Sequence, residues 1–189
     1  MATRRDVLEF AVLGVLSDGP LHGYELRKRL TAVLGPFRAL SYGSLYPCLR
    51  RLQGKDLIEE VDVTPAVESS APPLSARRAR VVYAITADGK EVFSEWANTP
   101  GPEAWEDEGF AAHLAFFGRT ESRARLRILE GRRSRLEERV DSLRESLTRG
   151  RERVDAYTLE LQRHGLDGAE REVRWLNELI QKEHTTENE

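Results

Sequence analysis

The chain has 189 residues, 40% hydrophobic and 32% charged, enough for one domain or two small ones and too few for a large barrel enzyme. Its longest apolar run, Phe10 to Leu16, is far short of the roughly 20 residues that cross a bilayer, and no cleavage-like site follows the first residues. A single cysteine excludes an internal disulfide framework and a Cys-rich zinc site, so a soluble cytoplasmic protein with no membrane partner is expected. The net charge of −3 argues against a polyanionic partner, but its distribution does not. Between His22 and Lys55 the basic residues Arg27, Lys28, Arg29, Arg38, Arg50, Arg51 and Lys55 face the single acid Glu25. Salt screens charges beyond about 8–10 Å, so a local patch sets the potential met at contact distance.

In chain order, a first helix is expected over 6–16, with Leu8, Ala11, Val12, Val15 and Leu16 on its apolar face and Asp18-Gly19-Pro20 stopping it. A second starts near His22 and turns Leu26, Leu30, Val33 and Leu34 inward, leaving Tyr24, Arg27, Lys28 and Thr31 outside, and ends at Gly35-Pro36. In the third, with Ser41 as N-cap, Leu45, Cys48, Leu49 and Leu52 share one side. Gly43, Pro47, Arg50 and Arg51 take the other side, flanked by Ser44 and Tyr46, with Gly54 and Lys55 at the end. Pro47 is early enough for its missing donor to fall near the first turn. Two strands follow, 57–63 and 80–85, and in the second Val81, Tyr83 and Ile85 alternate with Arg80, Val82 and Ala84. The connection 64–79 is rich in Pro and Ser, too long for a tight hairpin, and basic at its end through Arg77 and Arg78. Thr86 then caps a helix carrying Val92, Phe93 and Trp96. Three helices, two strands and a helix in that order form a winged helix-turn-helix pattern.

The expected organisation is a winged helix-turn-helix domain over 1–97, a linker over 98–106 around Asn98-Thr99-Pro100-Gly101-Pro102, a helical domain over 107–185 and a disordered tail over 186–189. A short helix carries Phe110, Leu114 and Phe117. A long one opens at Thr120 and runs to His164, its continuity through Gly150 left open. There Leu129, Leu136, Val140, Leu143, Leu147, Val154 and Leu161 follow a spacing of three and four. Gly165-Leu166-Asp167-Gly168 breaks the pattern, and Asp167 with Glu170 reads as a capping box for a last helix bearing Val173, Leu176 and Ile180, with Trp175 and Leu179 beside them. A stripe this narrow is not satisfied within one hairpin, so these residues are the expected dimerisation surface. The fold class is thus mostly α with a small β-wing, with a C-terminal α-helical dimerisation domain of antiparallel or coiled-coil character.

The chain has no Gly-rich phosphate loop, nucleophile elbow or paired-His metal spacing, and His22, His113, His164 and His184 are scattered. No enzyme activity, metal or cofactor is expected. Cys48 reads as a small core residue; the alternative, a thiol redox sensor, needs exposure and positive neighbours. The third helix has a clearer use. An α-helix fits the major groove of DNA, where Arg reads guanine and Ser or Tyr reaches phosphates or base edges, and Gly43 lets the backbone approach closely. Tyr24 and Lys28 would face a phosphate, and the arginines at 77, 78 and 80 would follow the backbone or a minor groove. The rival is a coiled-coil interaction module whose winged helix binds protein. Trp96, Trp105, Phe110, Phe116, Phe117 and Trp175 are core aromatics or, for all but Phe116, candidates for an apolar effector pocket between protomers.

Leu13-Gly14-Val15-Leu16, Gly19-Pro20-Leu21-His22-Gly23-Tyr24-Glu25-Leu26, Ser41-Tyr42-Gly43-Ser44-Leu45-Tyr46-Pro47 and Leu49-Arg50-Arg51-Leu52 together resemble the PadR family of bacterial transcriptional regulators. Tyr83-Ala84-Ile85-Thr86-Ala87-Asp88-Gly89 is similar to that family's strand-to-helix junction, while the C-terminal half is similar mainly in layout, as in the longer subfamily. The resemblance implies a homodimeric repressor on a palindromic operator of double-stranded DNA, with Tyr24, Ser44, Tyr46 and Arg50 at positions used around the DNA. It also implies release by a small aromatic effector, as in some relatives. Tyr42 stands where the family commonly has proline, and Val81 and Val82 stand where its wing carries basic and aromatic residues.

Overall fold

The structure, a computed structural model, describes residues 4–35, 42–62, 81–150 and 155–187. The expected Ser41 cap, the arginines at 77, 78 and 80, Val154 and the tail beyond 187 lie outside the described residues. Contacts divide the chain into two compact units, Met1–Thr99 with Asp107–Thr120, and Pro100–Glu106 with Glu121–Glu189.

The first unit holds α1 (Arg4–Leu16), β1 (Leu21–His22), α2 (Gly23–Leu34), α3 (Tyr42–Gly54), β2 (Ile58–Asp62), β3 (Val81–Ile85), α4 (Ala87–Asn98) and α6 (Asp107–Ala115). Every residue of α1 from Leu8 to Leu16 is buried. This helix is therefore the spine of the unit rather than an amphipathic surface helix. Leu26, Leu30 and Leu34 of α2 and Leu45, Cys48, Leu49 and Leu52 of α3 close over it, as their spacing predicts.

The sheet has three strands where two were expected. β1 pairs antiparallel with β3 (Leu21 opposite Tyr83), giving the order β1-β3-β2. A two-residue strand carries no periodicity and so no signal in the sequence. Its presence makes β3 the central strand, and Val82, Tyr83 and Ala84 are consecutively buried in place of the expected alternation.

The α6 segment, which the sequence assigned to the helical domain, clusters with the first unit. The Phe10 ring stacks on His113 at 4.5 Å and on Phe93 at 5.3 Å, and Phe116 meets both phenylalanines edge-on. Phe116 lies directly over Gly14, where a Cβ would come within 2.4 Å of the ring. Thr86 caps α4 by accepting from the Gly89 amide at 3.0 Å, and its hydroxyl donates to the Asp56 carbonyl at 2.7 Å. Gly89 packs so closely that a Cβ there would fall 2.0 Å from the Leu57 carbonyl oxygen. The Thr86-Ala87-Asp88-Gly89 motif thus locks the end of the sheet to the turn after α3.

The second unit holds α5 (Pro102–Trp105), α7 (Ser122–Gly150) and α8 (Ala156–Glu187). The expected break at 165–168 is absent: α8 runs unbroken from Ala156 through Gly165 and Gly168. Its cap is Asp155, which accepts from the Tyr157 and Thr158 amides and from the Thr158 hydroxyl at 2.6 Å. Those bonds, the Thr158 hydroxyl first, hold the Asp155 carboxyl below the usual carboxylate range. The capping box at Asp167 and Glu170 is not used. Helices α7 and α8 pack antiparallel, Arg125 meeting Glu183 near one end and Arg144 meeting Glu170 toward the other. Arg132 is buried; it donates twice to Glu172 Oε1 and once to the Trp105 carbonyl at 2.8 Å, fastening all three helices.

Candidate nucleic-acid interface

With one side of α3 committed to the core, its other side is available. Gly43, Tyr46 and Arg50 are exposed and Ser44 and Pro47 half-buried. The Tyr46 hydroxyl leans over the first turn of α2, within 3.5 Å of where a Gly23 Cβ would stand. It brings the two helix faces together. From α2, Tyr24 is 70% exposed and Lys28 is exposed. Tyr24, Lys28 and Arg50 have no hydrogen-bond or ion-pair partner among the described residues. Pro47 lies in the second turn rather than the first, so the bond it forfeits is the one to the Gly43 carbonyl, on the exposed side. The Tyr83 hydroxyl beneath this surface is pushed above its ordinary value, first by burial and then by Glu60 and Tyr46.

Two of the expected site residues carry ion pairs within the first unit. Arg51, placed by sequence beside Arg50 on the outer side, donates through Nε to Glu9 Oε1 at 2.8 Å. Lys55 Nζ donates to Glu9 Oε2 at the same distance. Glu9 is 3% exposed, the one charged residue in the buried stretch Leu8 to Leu16 of α1, and both its oxygens are taken. A carboxylate in that setting requires paired cations, and α1 engages one donor of Arg51 and the Lys55 ammonium while both side chains stay partly exposed. Glu9 is not a residue that helical spacing singles out. The signal was there: one acid inside an otherwise apolar ten-residue stretch, Val7 to Leu16.

Other expected residues divide as follows. Tyr42 opens α3. Cys48 is fully buried on the inner side, which removes the exposure a redox sensor needs. Trp96, Phe110 and Phe117 belong to the first unit and Trp105 and Trp175 to the second, so neither unit assembles the five aromatics. A cavity of about 410 Å³ in the first unit, lined by Val15, Arg29, Val33, Phe116 and Arg119, contains none of them. In the second unit Leu129, Leu136, Val140, Leu176 and Ile180 are buried within the chain's own hairpin, and Leu143, Leu147 and Val173 are half-buried. The stripe is therefore largely satisfied without a partner, contrary to expectation, because α8 starts earlier and covers α7. Leu161 is 71% exposed and Tyr157, one turn before it, 89% exposed. Among the described residues no group of side chains could hold a metal ion, and no helix is long and apolar enough to cross a membrane.

Residues 12–95 match the Transcriptional regulator PadR-like family. The negative transcriptional regulator PadR of Bacillus subtilis (strain 168) is 29% identical over 104 residues, 54% of this chain and 52% of that protein. An uncharacterized 37.1 kDa protein in transposon TN4556 of Streptomyces fradiae is 28% identical over 116 residues, 54% of this chain and 33% of that one. The match thus spans about half the length of the first relative and about a third of the second. Among solved structures, Bacillus subtilis PadR in complex with operator DNA aligns at 20% identity and TM-score 0.41, over 94% of this chain and 99% of that one. The same protein with p-coumaric acid aligns at 19% identity and TM-score 0.40, with the same coverage.

Proposed function

We propose that the chain, whose residues 12–95 match the PadR-like family of transcriptional regulators, is a sequence-specific repressor whose α3 enters the major groove of operator DNA. The observation that carries this reading is Arg50 on the outer side of α3, exposed and without a partner among the described residues, together with exposed Tyr24 and Lys28 on α2. Arg50 would read a base, and the two α2 residues would fix register on phosphates. Gly43 leaves the backbone open to close approach, and Ser44 and Tyr46 supply hydroxyls. Repression is the reading adopted because the Bacillus subtilis relative is a negative regulator.

The operator-bound form in this proposal is a homodimer, supported by Tyr157 and Leu161, large apolar side chains left in solvent near the start of α8. Selection of genomic fragments on the immobilised full chain, followed by sequencing, tests the reading. Enrichment of a short inverted repeat is the expected result; recovery of fragments without any common sequence overturns it and favours the protein-binding rival.

A further inference from the structure

We propose that Glu9 is a specificity-determining residue, which holds Arg51 and Lys55 away from the phosphate backbone and so suppresses sequence-independent binding. The inference rests on the DNA-binding reading above. Both cations sit on the last turns of α3 or just beyond, next to exposed Arg50. Their side chains are 35% and 52% exposed, so each is within reach of a polyanion. Each nonetheless has a donor 2.8 Å from a different oxygen of Glu9.

A phosphate could recruit Arg51 or Lys55 only by stripping an ion pair from a carboxylate that has almost no access to water, a far costlier exchange than displacing solvent. Phosphate contacts are the sequence-independent part of DNA affinity, each releasing counterions and steepening the fall of log K with log salt by about 0.9. With Glu9 in place, α3 and the residue after it offer Arg50 to bases rather than three cations to any backbone. A neutral residue at position 9 would remove that restraint.

The test measures binding of the full chain to a random-sequence duplex by fluorescence anisotropy across a series of KCl concentrations. Glu9→Gln, which keeps the shape and one hydrogen bond, is expected to bind this duplex more tightly, with a slope steeper by about 0.9 per cation released. Lys55→Gln in the otherwise unchanged chain is expected to leave the slope where it was. Adding Lys55→Gln to Glu9→Gln is expected to take back about one such step. A purely structural tie between α1 and α3 gives a different pattern: Glu9→Gln weakens binding at every salt with no change of slope, and that result overturns the proposal. So does a flatter slope for Lys55→Gln alone, and this arm decides the matter even where Glu9→Gln fails to fold. If the parent chain binds no duplex at all, the DNA-binding reading itself falls, an outcome distinct from either of these.

Discussion

The two units are held together by different physics. The first buries a spine helix on all sides among leucines, valines and stacked aromatics, with one buried carboxylate answered by two cations. The second has a thin apolar seam along α7 and α8, bordered by Arg125–Glu183, Arg132–Glu172 and Arg144–Glu170. Where burial is complete, single atoms decide stability; where pairs are solvated, individual contributions are small. The contrast suits the proposed division of labour, because a helix that reads bases needs a rigid floor.

Substitutions should sharpen this contrast in a definite order. The largest loss is expected from Gly89→Ala, whose Cβ would collide with the backbone oxygen of Leu57. Relief requires the sheet to move against the turn after α3, at about 3 kcal/mol or more, read as a lowered denaturation midpoint of the first unit. A pH effect follows, also confined to the first unit. Burial against Phe10 lowers the His113 value from 6.5 to about 4, so the folded state holds it neutral. Its contribution is complete above pH 6.5 and is lost as pH falls through the interval down to about 4, by up to about 3 kcal/mol. Urea titrations at several pH values should show this loss, and His113→Phe should flatten it.

In the second unit the largest effect is expected at Arg132, the buried guanidinium. Arg132→Gln leaves Glu172 and the Trp105 carbonyl short of donors and should cost about 2 kcal/mol in thermal unfolding. At the bottom of the scale, Arg144→Ala loses only pairs on the exposed side and should cost under about 1 kcal/mol. If Arg144 matters as much as Arg132, the two-physics contrast is wrong for this unit.

The inner sides of α2 and α3 were legible because helical spacing alone assigns them, and Thr86 because a capping hydroxyl announces a helix start. Four features were not. β1 is too short for periodicity. The continuity of α8 was not legible because Gly165 and Gly168 look like breakers, whereas packing along α7 outweighs their propensity cost of about 1 kcal/mol each. The Arg51–Glu9 pair was not legible because a wheel gives the direction of Cα–Cβ but not where a long, flexible side chain ends, and Glu9 lies 42 positions away on α1. The α6 segment was placed in the wrong unit for a similar reason: the stacking of His113 on Phe10 is a long-range contact that local pattern does not encode.

The central claim is that Arg50 reads a base. Affinities of the parent chain and Arg50→Ala for the selected operator and for its scrambled sequence, compared at one salt concentration, test it directly. The account predicts that operator binding falls by about 10- to 100-fold while scrambled DNA loses only a few-fold. Equal losses on the two duplexes would contradict it.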